Sequence, residues 1–172
     1  MTVRVAILTI SDAGSRGERA DTSGDAAAAW AVSQRFTVVA RAMVGDDSVA
    51  IVRQLLAWCD ADVADLVLTT GGTGLSARDV TPEATRAVIE RDAPGIAERI
   101  RSITGQACPR AALGRGVAGV RNRTLIVNLP GSTSGVRDSL DALAPIATHA
   151  IDVLRGAPTD HSPGDVSRTV RE

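Results

Sequence analysis

The sequence predicts a three-layer α/β/α domain built on a central, mostly parallel sheet, and three observations carry that expectation. Short apolar runs rich in β-branched residues alternate with segments of helical periodicity. The chain has 172 residues, a length that one compact core can serve. Its composition is 44% hydrophobic but only 2% aromatic, so Ala, Val, Leu and Ile must build that core. Helices packed on a sheet suit this palette.

Val3 to Ile10 reads as the first buried strand, bounded by a polar loop from Ser11 to Ser23. A helix follows from Gly24 or Asp25 to Arg35, and Phe36 to Val44 forms the next strand. Ser48 to Asp60 is an amphipathic helix with Ser48 as its cap, leading to the strand Asp65 to Thr69. Pro82 opens a helix that runs to about Asp92 with Thr81 as cap, and Pro94 opens another. Gly114 to Arg121 and Thr124 to Leu129 read as two strands around Asn122-Arg123. Val136 to Arg155 is helical with an interruption near Pro145. Residues 1–156 thus make one domain, and 157–172, with few large apolar side chains, read as a mobile tail.

Charge and composition exclude several classes of function. A formal net charge of -1 offers no concentrated basic face for nucleic acid or an acidic membrane. All nineteen basic residues are Arg, which rules out a lysine Schiff base and the lysine of a Walker A loop. Cys59 and Cys108 have no metal-site spacing and read as small buried hydrophobes. His149 and His161 have no serine or cysteine elbow nearby and read as non-catalytic. The N-terminus lacks a signal-peptide pattern and no apolar run spans a bilayer, so a cytoplasmic location is expected.

In a parallel sheet the ligand lies beyond the carboxyl ends of the strands. Four polar or glycine-rich loops follow strands here: Ser11-Asp12, Asp46-Asp47, Thr70-Gly71-Gly72 and Pro130-Gly131-Ser132. The most informative stretch runs from Thr69 to Pro82. Its glycines Gly71, Gly72 and Gly74, with Thr70 and Thr73 between and before them, allow close backbone approach, and free amides before a helix favour phosphate oxygens. Asp79 in this stretch and Asp46 in the preceding loop give two carboxylates that the topology can bring to one site. Such a pair beside phosphate suits a hard divalent cation such as Mg2+. Asp47 competes with Asp46 for that part, although a helix cap is its simpler role.

Thr69-Thr70-Gly71-Gly72-Thr73-Gly74, Arg78-Asp79-Val80-Thr81-Pro82-Glu83-Ala84-Thr85 and Asn128-Leu129-Pro130-Gly131-Ser132 together resemble the MogA/MoaB family of molybdenum cofactor biosynthesis proteins. The similarity extends from Ser11-Asp12 and Asp21-Thr22-Ser23-Gly24 to His149-Ala150-Ile151-Asp152. It implies a molybdopterin-binding type of α/β fold, a homotrimer, and transfer of AMP from ATP to the terminal phosphate of molybdopterin. It also implies possible contact with other proteins of that pathway. The family's two essential aspartates fall on Asp79 and Asp46, as Mg2+ ligands. Ser11, Asp12, Thr70, Gly71, Gly72, Thr73, Gly74, Thr81, Pro130, Gly131 and Ser132 are then expected around the nucleotide and pterin phosphates. A lysine common in relatives after the last Pro-Gly is replaced here by Thr133-Ser134-Gly135, leaving Ser132, backbone amides or Arg137 to take its place. The alternatives within this resemblance are a molybdopterin-binding or scaffold protein without transfer activity, and a hydrolase using the same loops with water.

Overall fold

A computed structural model describes residues 2–156, so the expected tail at 157–172 and His161 lie outside the described residues. Six strands form one sheet in the order β2-β1-β3-β6-β5-β4. They are β1 (Arg4–Ile10), β2 (Thr37–Val44), β3 (Leu66–Thr70), β4 (Arg91–Asp92), β5 (Ala118–Arg121) and β6 (Thr124–Leu129). β2, β1, β3 and β6 are mutually parallel, and β5 alone runs against its neighbours. The expected α/β/α class with a mostly parallel sheet is borne out.

The helices are α1 (Asp12–Ser15), α2 (Thr22–Ser33), α3 (Ser48–Asp60), α4 (Thr81–Arg86), α5 (Pro94–Ala107) and α6 (Thr133–Leu154), with a 3-10 turn over Pro109–Leu113. Side-chain alternation along the strands assigns them to two faces. Val5, Ile7, Leu66, Leu68, Leu125 and Val127 meet α2, α5 and α6, with Trp30, Leu140, Leu143 and Ile151 filling that layer. Ala6, Leu8, Val67 and Ile126 point the other way, onto Ile51, Leu55, Trp58 and Cys59 of α3 and Ala84 of α4. Fully burying one Leu or Ile stabilises by about 1.5–3 kcal/mol, so the two layers rather than any single contact hold the sheet. Burial pushes the Cys59 thiol up to about 11, in keeping with an inert core residue, whereas Cys108 is only half-buried.

Several element boundaries differ from the sequence reading, each for a local reason. Asp21 caps α2 by accepting from the Gly24 amide, so that helix begins at Thr22. Asp47, not Ser48, caps α3 through the Ala50 amide at 2.7 Å. Thr81 caps nothing, because its buried hydroxyl donates to the Gly71 carbonyl at 2.9 Å instead. The helix after it stops at Arg86, since Glu90 and Ala93 donate their amides to Val120 and Ala118 and draw the chain into the sheet as β4. The strand expected from Gly114 begins only at Ala118, and α6 continues through Pro145 without a break.

Candidate functional site

Strand register decides which loops meet. Thr9 pairs with Thr70, and Thr70 with Leu129, so the chain leaves β1, β3 and β6 side by side at one edge. Ile10 pairs with Val44, which adds the Gly45-Asp46-Asp47 turn. The chain goes from β1 outward to β2 and returns to β3 on the opposite flank of β1. That reversal opens a crevice between the β1 and β3 loops, the preferred place for a ligand in such sheets.

Gly71 and Gly72 line this crevice with φ of +94° and +63°. A Cβ on Gly71 would lie 2.2 Å from the Ile10 carbonyl oxygen, and one on Gly72 would lie 2.3 Å from Thr81 Oγ1. Only glycine permits both the left-handed backbone and the close approach. The turn is held from three sides: Gly71 donates its amide to Leu129 O, Thr81 donates its amide to Gly72 O, and Thr81 Oγ1 donates to Gly71 O.

The two expected carboxylates flank this turn. Asp46 is interlocked with Asp12: the Asp12 amide donates to Asp46 Oδ2 at 3.0 Å, and the Asp46 amide to Asp12 Oδ1 at 2.9 Å. Asp46 Oδ1 receives no hydrogen bond from the described residues and lies 3.3 Å from where a Gly72 Cβ would stand. Asp47 is committed to capping α3, so the structure separates the roles of the two neighbours. Asp79 Oδ2 accepts from the Ser76 amide at 2.8 Å, and its Oδ1 likewise has no hydrogen bond among the described residues. Each carboxylate thus keeps one oxygen without a hydrogen bond among the described residues, Asp79 bounding one of two cavities beside the turn and Asp46 the other. Among the described residues no three His, Cys, Asp or Glu side chains gather into a metal site. The donor set fits a Mg2+ ion completed by ligand phosphate and water, not one caged by protein.

Two cavities share the glycine ridge. One, of about 360 Å3, is bounded by Gly72, Thr73, Gly74, Asp79, Pro130, Gly131 and Ser132, with Ile100, Leu113 and Leu129 giving it an apolar wall. The other, of about 370 Å3, is bounded by Ser11, Asp21, Ser23, Asp46, Gly71, Gly72, Gly131 and Ser132. Each is large enough for one ring system with its substituents. Asp12 is half-buried beside the second. The Asp46 amide and the Arg78 guanidinium, at 2.5 Å from Asp12 Oδ2, hold its carboxyl below the usual range. Thr70 and Thr81 are buried and serve the walls: Thr70 Oγ1 bonds Ser23 Oγ at 2.9 Å. Ser11 caps α1 through Gly14, and Ser132 caps α6 through Gly135, so the amides at the start of α6 open into the ridge. Arg137 lines a separate groove with Trp30 and Asp141 and bounds neither cavity, so it does not stand in for the missing lysine there. His149 is exposed on α6.

Three contributors have no role of their own in the sequence reading, although Asn128 and Asp21 stand within its motifs. Asn128 is buried behind the first cavity, where its Nδ2 donates to Thr69 and Thr85 hydroxyls and its Oδ1 accepts from the Val117 amide. An Asn inside an otherwise apolar strand was the available signal. Asp21 gathers Thr9 Oγ1, the Gly24 amide and Arg41, which makes it the structural centre of the second cavity's wall. Arg115 braces the Asp79 loop and carries no sequence signal of its own, lying amid Gly114 and Gly116.

These features define a class: an α/β domain with a glycine turn and two adjoining cavities at the switch-point edge of its sheet. The chain belongs to the family described as "Probable molybdopterin binding domain", whose model matches residues 6–149. It is 36% identical over 157 residues to the molybdopterin adenylyltransferase of Helicobacter pylori, covering 90% of this chain and 89% of that protein. It is 37% identical over 157 residues to the molybdopterin adenylyltransferase of Escherichia coli, covering 87% and 80%. Among solved structures, the molybdopterin biosynthesis enzyme MoaB from Thermus thermophilus superposes with a TM-score of 0.86 at 48% identity, covering 92% of this chain and 100% of that one.

Proposed function

We propose that this protein is a molybdopterin adenylyltransferase, moving AMP from ATP to the terminal phosphate of molybdopterin. The observation that carries the proposal is the pair Asp46 and Asp79, each with an open carboxylate oxygen, on either side of the Gly71–Gly72 turn that two cavities share. Two cavities suit two substrates whose phosphates must meet. The relatives named above support the choice of reaction.

The acceptor phosphate is already anionic near neutral pH, so its oxygen attacks the α-phosphorus of ATP with no general base. The bond from that phosphorus to the bridging oxygen breaks, and pyrophosphate leaves with the electron pair. What this chain supplies is alignment of two polyanions and donors for their charge. Amides at the start of α6 and around Gly72 would donate to phosphate oxygens, and Thr81 fixes the turn that would present them. Asp46 and Asp79 would hold Mg2+, which when bound neutralises charge building on the leaving pyrophosphate. Asp12 and Arg78 orient Asp46 from behind.

The same reading carries a homotrimer in the cytoplasm, checked by light scattering of the purified protein and by cell fractionation. Its central test is incubation with molybdopterin, ATP and Mg2+, followed by mass detection of adenylylated pterin. Pterin binding without that product would assign the chain to a binding or scaffold role. Pyrophosphate release that needs no pterin would assign it to hydrolysis.

A further inference from the structure

The loop that carries Asp79 is held to the rest of the molecule by two distant side-chain contacts, an exposed pair of Arg78 with Asp12 at its tip and Arg115 at its base. Leu75, Ser76, Ala77 and Arg78 are all exposed, and Leu75 keeps 67% of its surface in solvent, so no apolar anchor ties the loop to the core. Inside the loop the Asp79 amide donates to Ser76 O, the Ser76 amide to Asp79 Oδ2, and the Arg78 amide to Ser76 Oγ. These bonds shape the turn but do not fasten it to the rest of the molecule.

Arg115 does that at the base of the loop. Its Nε donates to the Gly74 carbonyl at 2.7 Å and its Nη2 to the Asp79 carbonyl at 2.5 Å, so one guanidinium grips both ends of the loop. Its Nη1 is paired with Glu83 on α4, whose carboxyl the pairing holds below its ordinary range. Its own backbone amide donates to Thr73 O at 2.9 Å, immediately before the loop. The guanidinium is rigid and planar, with donors diverging at fixed angles, so fixing one contact fixes the others. A lysine ammonium is a point donor on a flexible stem and cannot span both carbonyls and Glu83 in this geometry.

We propose that Arg115 is the positioning residue for Asp79: by pinning Gly74 O and Asp79 O together it presents the Asp79 carboxylate to the phosphate site already ordered. Arg115 touches neither the proposed substrates nor the metal; it acts through the backbone from which Asp79 projects. Preorganised placement of a charged group governs rate more than binding, because misplacement by about 1 Å already costs about a hundredfold. The part of the proposal that concerns turnover rests on the adenylyl-transfer reading, while the ordering of the loop does not.

The test compares wild type with Arg115→Lys in two measurements. Amide hydrogen exchange over residues 73–80, read by mass spectrometry on the substrate-free protein, reports loop order without any assumption about function. Steady-state kinetics with ATP, Mg2+ and molybdopterin report the consequence. Arg115→Lys is expected to speed exchange across this segment, with β1 and β6 as protected as in wild type. It is expected to lower kcat by about tenfold or more and to change KM for ATP by less than about twofold. Glu83→Gln, which weakens the outer anchor alone, should loosen the same segment to a smaller extent and serves if Arg115→Lys does not fold. Unchanged exchange in the folded variants would overturn the positioning role, as would a loosened loop with kcat intact. If wild type itself yields no adenylylated pterin, the proposed reaction fails, and the exchange data still decide the clamp.

Discussion

At the scale of single residues, the site depends on groups whose replacements differ by very few atoms. Asp79→Asn keeps a side-chain oxygen for the Ser76 amide, so the loop should survive while the charge is lost. Mg2+-dependent AMP transfer is expected to fall by about a thousandfold, with thermal stability changed by less than about 1 kcal/mol. Transfer within tenfold of wild type would remove Asp79 from metal binding. Gly72→Ala tests the turn. Its methyl would sit 2.3 Å from Thr81 Oγ1 at a φ of +63°, so urea unfolding should show a loss of about 2–3 kcal/mol. Of these groups, Gly71, Gly72, Asp46 and Asp79 were visible in the sequence because loop glycines and carboxylates after strands are local signals. Arg115 was not, since its significance lies in carbonyls 36 and 41 positions away.

At the scale of elements, the parallel strands were legible, and helix caps and the short antiparallel end of the sheet were not. Apolar runs located β1, β3 and β6 within a residue or two, because burial on both faces leaves a continuous signal. Caps were misassigned where two candidates stood side by side, as with Asp47 and Ser48, because only geometry selects which oxygen reaches the amide. β4 was hidden because two residues carry no periodicity, and pairing with β5 alone makes Arg91–Asp92 a strand. Pro145 suggested an interruption of α6, but packing of Leu140, Leu143, Ala147 and Ile151 against the sheet carries the helix past it. Asn128 joins elements that sequence cannot relate: β6 to β3 through Thr69, to α4 through Thr85, and to Val117 just before β5. Asn128→Leu would leave the Val117 amide without this acceptor and two buried hydroxyls without their donor. Chemical denaturation is expected to show a loss of about 2–4 kcal/mol, and a loss under about 1 kcal/mol would mean those groups find other partners.

At the scale of the whole molecule, stability and chemistry sit at opposite ends of the sheet. Asp65, just before β3, lies at the amino-terminal edge, away from the loops of the site. Its carboxylate accepts from the Arg4 amide at 2.7 Å, from the Arg4 guanidinium at 2.9 Å and from the Arg155 guanidinium. Arg155 follows α6, and its Nη2 also reaches the Thr2 carbonyl, so this cluster fastens the last helix to the first and third strands. Burial by itself would raise the Asp65 pKa, but the hydrogen bonds from Arg4 and Arg155 outweigh it and bring the value to about 2, against an ordinary 3.8. The folded state therefore binds a proton at Asp65 less readily than the unfolded chain. Stability from this group is fully present above pH 4 and is lost as pH falls toward 2. Asp65→Asn should cost about 2–4 kcal/mol at pH 7, since two guanidinium groups lose their shared counter-charge. The gap between wild type and variant should narrow as pH is lowered from 4 to 2, because protonation removes the same charge from wild type. KM for ATP at pH 7 should not move, because the cluster and the glycine turn occupy opposite edges. A pH-independent gap would show that Asp65 contributes through shape and hydrogen bonding, and a shifted KM would show that the two edges are coupled through the parallel strands between them.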